Sequence, residues 1–164
     1  MTVALSVVDE VTEPALRQLW QLYQHDLSEF RGTFPGSNGM FNADRLDSYL
    51  VNPSCRAYLI EGDSGLAGFA LVRGLNQDSR VLSEFFVVRA ARRAGNGRAA
   101  AIQVIARHPG RWSIAFQDNN VAASAFWRMI ATDIAAESWE LTRRPVPGKP
   151  HVPPDSWIEF TTTA

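Results

Sequence analysis

Residues 81–108 read VLSEFFVVRAARRAGNGRAAAIQVIARH. The first eight are apolar and β-rich. The last dozen carry Ala99, Ile102, Ile105 and Ala106 at helical spacing before Pro109 and Gly110 close the run. The pattern predicts a strand, a turn and a helix with one side against a sheet. The turn is Arg92-Arg93-Ala94-Gly95-Asn96-Gly97-Arg98. A glycine turn that opens a helix presents unpaired backbone N–H groups where the helix dipole is positive, which makes it an anion site. Gly95 and Gly97 let the backbone approach an anion with no side chain between, and Arg92, Arg93 and Arg98 would add charge-assisted donors to phosphate oxygens.

Two nucleotide folds are excluded at this turn. A P-loop ends its glycine run in GK[ST], whereas Gly97 is followed by Arg98 and Ala99. The dinucleotide fingerprint needs a third glycine and an acid after the next strand, and neither is present. A short glycine motif on its own also fits a helix start with solvated arginines.

Outward from the turn, TVALSVVD reads as a first strand, and Thr12 with Glu13 and Pro14 reads as the capped start of a helix. Leu16, Leu19, Trp20, Tyr23 and Leu27 give that helix one apolar face. The stretch EFRGTFPGSNGMFN is a loop, and ADRLDSYLV a short second helix. CRAYLIEGD and GLAGFALVRG form a hairpin about Gly62, Asp63, Ser64 and Gly65, with VLSEFFVV the next strand. RWSIAFQ is a strand, and DNNVAASAFWRMIATDI a helix capped by Asp118, Asn119 or Asn120. SWELTRR and SWIEFTTT form a final strand pair around the proline-rich PVPGKPHVPPD. The order β-α-α-β-β-β-α-β-α-β-β predicts a mixed α/β sheet.

With 164 residues the chain fits one domain, residues 1–164. A net charge of −1 gives no general reason to expect nucleic acid or an anionic membrane as partner. The single cysteine, Cys55, reads as a small buried thiol in a strand. No basic leader and no bilayer-length apolar run stand out, which points to a soluble cytoplasmic protein. His, Cys and Asp show no zinc-like spacing, so no metal is expected. His108, at a helix end, reads as a cap that meets the dipole.

Val87 five positions before Arg92, followed by R-x-x-G-x-G as Arg92, Gly95 and Gly97, resembles the acyl-CoA signature of the GNAT acyltransferase superfamily. Asn120, Ala123, Phe126 and Trp127 resemble a second motif of that family, on the helix after the next strand. The element order agrees along nearly the whole chain, and the pattern looks like that of a small bacterial branch of predicted acetyltransferases. The resemblance implies a mostly antiparallel central sheet flanked by helices, with acetyl-CoA as acyl donor. It implies that the main chain of Phe86, Val87 and Val88 lines the pantetheine. Arg93, Ala94, Gly95, Asn96, Gly97 and Arg98 would cover the diphosphate, with Arg92 beside them, and Asn120 would reach the cofactor from the other side. A homodimer through the C-terminal strands is a further implication.

The implied activity is direct attack of a primary amine on the thioester, in a ternary complex. Glu84, a carboxylate in an apolar strand, is the candidate base, because desolvation by Phe85 and Phe86 would favour its neutral form. It reads equally as an outward-facing or arginine-paired side chain. Many family members carry Tyr where Trp127 stands, and an indole N–H is far too weak an acid to protonate a thiolate. Trp127 then packs the core or lies beside the pantetheine, and Ser124 is the candidate to orient a water near the sulfur. Tyr23, His25, Asp26 and Glu29 are candidates to recognise a cationic amine, with a plain surface pair the competing reading of His25 and Asp26. A non-catalytic acyl-CoA-binding module, and transfer of an acyl group other than acetyl, both stay open.

Overall fold

A computed structural model describes residues 1–163 of the chain. Its elements are β1 (Ala4–Val7), α1 (Glu13–Arg31), α2 (Asp44–Val51), β2 (Arg56–Gly62), β3 (Gly65–Arg73), β4 (Ser79–Val87), α3 (Asn96–Ala106), β5 (Arg111–Phe116), α4 (Val121–Ala135), β6 (Glu140–Arg144) and β7 (Asp155–Thr161). This is the expected order. The sheet order is β1-β2-β3-β4-β5-β7-β6, with β4 and β5 parallel and every other pair antiparallel. The last strand therefore lies inside its predecessor, and β6 is the edge.

Side chains alternate between two cores because successive strand residues point to opposite faces. Tyr58, Ile60, Val72, Leu82, Trp112 and Ile114 pack under α3 and α4, whereas Leu59, Phe69, Leu71 and Phe86 meet Leu16, Trp20 and Leu46 of α1 and α2. An irregularity opposite Leu71 and Val72 breaks the alternation in β4 at Ser83. Leu82 and Phe85 face α3 and α4, whereas Glu84 bonds Tyr23 and Ser83 bonds Tyr49 on the other side. One bulged residue re-aims the strand.

Four local expectations change. Thr12 makes no side-chain cap to α1. Instead Asp9 accepts from the N–H groups of Val11 and Thr12, because a short Asp side chain closes a turn on its own backbone. The buried face of α3 is Ala100, Ala101, Val104 and Ile105, one position round from the predicted stripe, leaving Ala106 exposed. Cys55 stands half-buried just ahead of β2 rather than inside it. His108 is no dipole-facing cation: its Nε2 lies 2.7 Å from the Tyr58 hydroxyl. Burial, together with Arg56, Arg80 and Arg107, pushes its imidazole below the ordinary histidine range. Of the three candidate caps on α4, Asn120 is the one used, accepting from Ala123 N–H at 3.1 Å.

The feature that positions the site is the short contact between β4 and β5. They pair only where residues 79–81 meet 111–113. Beyond it β5 stays with β7 through Phe116, and β4 stays with β3 through Val87. Phe85 of β4, Phe126 and Trp127 of α4 fill the base of the wedge, with centroids 4.7 to 5.8 Å apart. On the other side β4 is pressed against Gly68 of β3. A Cβ added at Gly68 would lie 1.9 Å from the Phe86 carbonyl oxygen and 3.0 Å from Val87 Cα. Gly68→Ala must push β4 into the gap, and we expect a loss of about 1–3 kcal/mol, as for overpacked cores, read from urea denaturation midpoints.

Candidate functional site

The gap between β4 and β5 opens into a cleft of about 630 Å³. Small-molecule sites commonly span ~300–1,000 Å³. Its walls come from the end of α1 (Tyr23, Asp26, Leu27, Glu29, Phe30), from β4 (Phe85, Phe86, Val87), from the arginine turn and from α4 and its cap (Asn120, Ala123, Phe126, Trp127). The Val88 N–H bonds Ala67 O at 2.8 Å. By the two-residue alternation of antiparallel ladders, Phe86 also turns its main chain to β3, leaving that of Phe85 and Val87 toward the gap. Val88 therefore spends its N–H on the sheet and is off the wall.

The turn is a bank of donors. Among the described residues, none of the backbone N–H groups of residues 93–98 donates to a protein acceptor, and the first helical bond of α3 is Ala99 N–H to Gly95 O. Gly95 (φ +82°) and Arg93 (φ +65°) both take the left-handed conformation. A side chain strains there, so glycine suits the first position better than arginine does the second. Asn96 is occupied otherwise: its side-chain amide donates to Ala91 O at 2.9 Å and braces the turn from behind. Neither Asn96 nor Ala94 lines the cleft.

The arginines divide. Arg98 forms a two-point ion pair with Asp133 of α4, at 2.8 and 3.0 Å, and so ties the two helices together. Arg92 donates to Val87 O at 2.8 Å and also pairs with Asp26, which Arg89 meets at 2.9 Å. Among the described residues Arg93 has no ion-pair partner. It is the cleft-lining cation left uncommitted. Burial raises the Asp26 carboxyl, but the hydrogen bonds and charges of Arg92 and Arg89 outweigh it and hold the group below the usual carboxylate range. Asp26 thus neutralises two arginines instead of waiting for a cationic amine. His25 is exposed and off the cleft, Glu29 lies on its rim, and Tyr23 lines it.

Glu84 is buried, with 3 % of its side chain exposed, and is absent from the cleft wall. Tyr23 donates to Oε2 at 2.5 Å and Arg45 Nε meets Oε1 at 2.6 Å. Both oxygens are engaged, so the desolvated free base expected from the strand pattern is replaced by the arginine-paired alternative. A buried carboxylate needs such partners to stay charged. Ser124 is turned away as well: it lies off the cleft and accepts from Arg128 Nε at 3.3 Å. Trp127 is 7 % exposed, and that surface is on the cleft. Arg45 and Arg89 had no signal in sequence beyond the need of Glu84 and Asp26 for cations.

Three solved structures superimpose on nearly the whole chain. An acetyltransferase from Thermus thermophilus matches with TM-score 0.70 and 18% identity, over 98% of this chain and 97% of that one. The fold is that of the GNAT acetyltransferases. A GNAT family acetyltransferase from Elizabethkingia anophelis with acetyl-CoA bound matches at TM-score 0.65 and 11% identity, covering 97% of each chain. The ribosomal-protein-S18-alanine N-acetyltransferase of Escherichia coli matches at TM-score 0.65 and 14% identity, covering 99% of this chain and 96% of that one. No protein-family model and no curated protein sequence matches the chain. At these identities the likeness concerns the GNAT fold itself.

Tyr23 gives this site a pH signature. Burial first, then the Glu84 charge, pushes its phenol well above the ordinary value of 10.0. The folded state therefore holds this proton more tightly than the unfolded state does. Its contribution to stability is complete below pH ~10 and is lost as pH rises further. Tyr23→Phe should cost about 1.5–3 kcal/mol at neutral pH, as a hydrogen bond to a buried charge does. The difference from the wild type should shrink above pH ~10, as urea midpoints at several pH values would show.

Proposed function

We propose that the chain is a single-domain N-acyltransferase that takes an acetyl group from acetyl-CoA and delivers it to the amine of a small molecule. The observation that carries this reading is the bank of free N–H groups at residues 93–98, set at the helix start beside the open edge of β4. A diphosphate clasped there leaves the pantetheine to run down the gap as an extra strand against the main chain of Phe85 and Val87. The Val87 or Phe85 N–H then serves as donor to the thioester oxygen as negative charge develops on it. Arg93 adds a charge-assisted bond to the phosphates, and Asn120, with its amide nitrogen uncommitted, reaches the cofactor from α4. A soluble, cytoplasmic setting fits a supply of acetyl-CoA.

The chemistry uses few protein protons. The amine attacks the thioester carbonyl as a neutral nucleophile, the C–S bond breaks, and CoA leaves as thiolate while the amine nitrogen loses its proton to solvent. Glu84 holds α1, α2 and β4 together through Tyr23 and Arg45. Trp127 donates a hydrogen bond toward the sulfur but no proton. The rate should therefore rise with pH up to the acceptor amine's own pKa, and steady-state assays with amines of different basicity should show the inflection moving with the amine.

Gly97 offers the decisive variant. A Cβ there meets Phe126 and Val87 at 3.5 Å, an ordinary contact, so a larger side chain grows into the cleft without strain at the backbone. Gly97→Trp should weaken acetyl-CoA binding about 100-fold, roughly 2.7 kcal/mol, by calorimetric titration, while its melting curve stays close to wild type. Unchanged affinity would overturn the reading. One observation favours a second reading: with Glu84 and Ser124 both turned from the cleft, a non-catalytic acyl-CoA-binding module of the same fold needs no further change. Tight binding with no CoA released across an amine panel would select it.

A further inference from the structure

A second cavity, about 690 Å³, lies outside the cleft on the α2 side of the sheet. Arg45 and Tyr49 of α2, Cys55 ahead of β2, and Arg73, Asn76 and Asp78 at the turn from β3 to β4 line it. Its charges are laid out in a definite way. Arg45 directs Nε to Glu84 at 2.6 Å, so its charge is balanced, and the residue also lines the cavity. Among the described residues, Arg73 and Asp78 take part in no ion pair, with each other or with anything else. The cavity thus presents one cation and one anion outside any ion pair, on a wall that also carries the hydroxyls of Ser48, Ser54 and Ser79 and the amides of Asn52, Asn76 and Gln77.

We propose that this cavity binds a small zwitterion, an α-amino acid with a polar uncharged side chain. The carboxylate meets the planar donor fork of Arg73. The ammonium group meets Asp78. The ligand's side chain bonds to the amides of Asn76 and Gln77. A zwitterion pairs with both charges at once, whereas a singly charged ligand gains only one of the two charge-assisted contacts. The site shares Arg45 with the ion pair that reaches Tyr23 on the wall of the cofactor cleft, yet it makes no use of the acyl-CoA surface.

Cys55 supplies the test, because it is the single cysteine of the chain and lies on the cavity wall. Burial raises its thiol above the ordinary value, so its alkylation by iodoacetamide is followed at mildly alkaline pH. L-Glutamine, the probe, should slow the reaction about tenfold when present at about ten times its dissociation constant. Arg73→Gln and Asp78→Asn, each at an exposed position, should abolish the protection. N-Acetyl-L-glutamine, which lacks the ammonium group, and L-glutaminamide, which lacks the carboxylate, should not protect. Absence of protection in the wild type, equal protection by either analogue, or protection that survives both substitutions would overturn the proposal. No acyl-CoA enters the measurement, so its failure and a failure of the acyltransferase reading are separate results.

Discussion

β4 has two kinds of neighbour along its length, and the rest of the site follows from that. Ser79 and Arg80 meet β5, Val81 alone is paired on both sides, with Arg73 of β3 and Ser113 of β5, and after Val81 the strand keeps β3 and loses β5. Buried backbone groups are costly to leave unpaired. An edge opened inside a sheet therefore persists only where something else can meet it, and here the opening leads to the donor bank at the start of α3. Aromatic packing under the wedge and the backbone pressed on Gly68 hold β4 in place from its two sides. The groups that would grip a long anionic cofactor are thus main-chain groups, set by strand separation and helix position more than by side-chain identity.

Charge in the site is arranged to hold the frame. Glu84 ties three elements through Tyr23 and Arg45, Asp26 draws Arg89 and Arg92 together at the end of α1, and Asp133 takes Arg98. Each acid that a reader of the sequence would offer to catalysis or to the acceptor amine, save Glu29 on the rim, is committed to an arginine. Among the described residues, the cleft-lining arginine outside any ion pair is Arg93.

Much of the cleft was legible in sequence, because glycine spacing, helix start and strand pattern are local properties. Residues 92–98 announce a donor-rich helix N-terminus through backbone preferences alone, and the run Asp118, Asn119, Asn120 announces a cap without saying which of the three serves. The roles of Glu84, Ser124, His25 and Val88 were not legible, since each depends on which way a side chain or an N–H group points. A single bulge at Ser83 decides this for Glu84, turning it to Tyr23 and Arg45 instead of the cleft. The stripe on α3 shifted for a related reason: with Ala99, Ala100 and Ala101 in succession, several faces are nearly equal in apolarity, and the sheet chooses among them.

By itself the sequence determined the order of elements, the glycine turn and its donor-rich character, because hydrophobic period, turn residues and helix ends are written in neighbouring positions. Only the tertiary structure decided that β7 lies between β5 and β6, that β4 and β5 part after three residues, and which arginine serves which acid. Those outcomes depend on contacts between residues tens of positions apart, such as Tyr23 with Glu84 or Arg98 with Asp133, whose pairing no local pattern encodes.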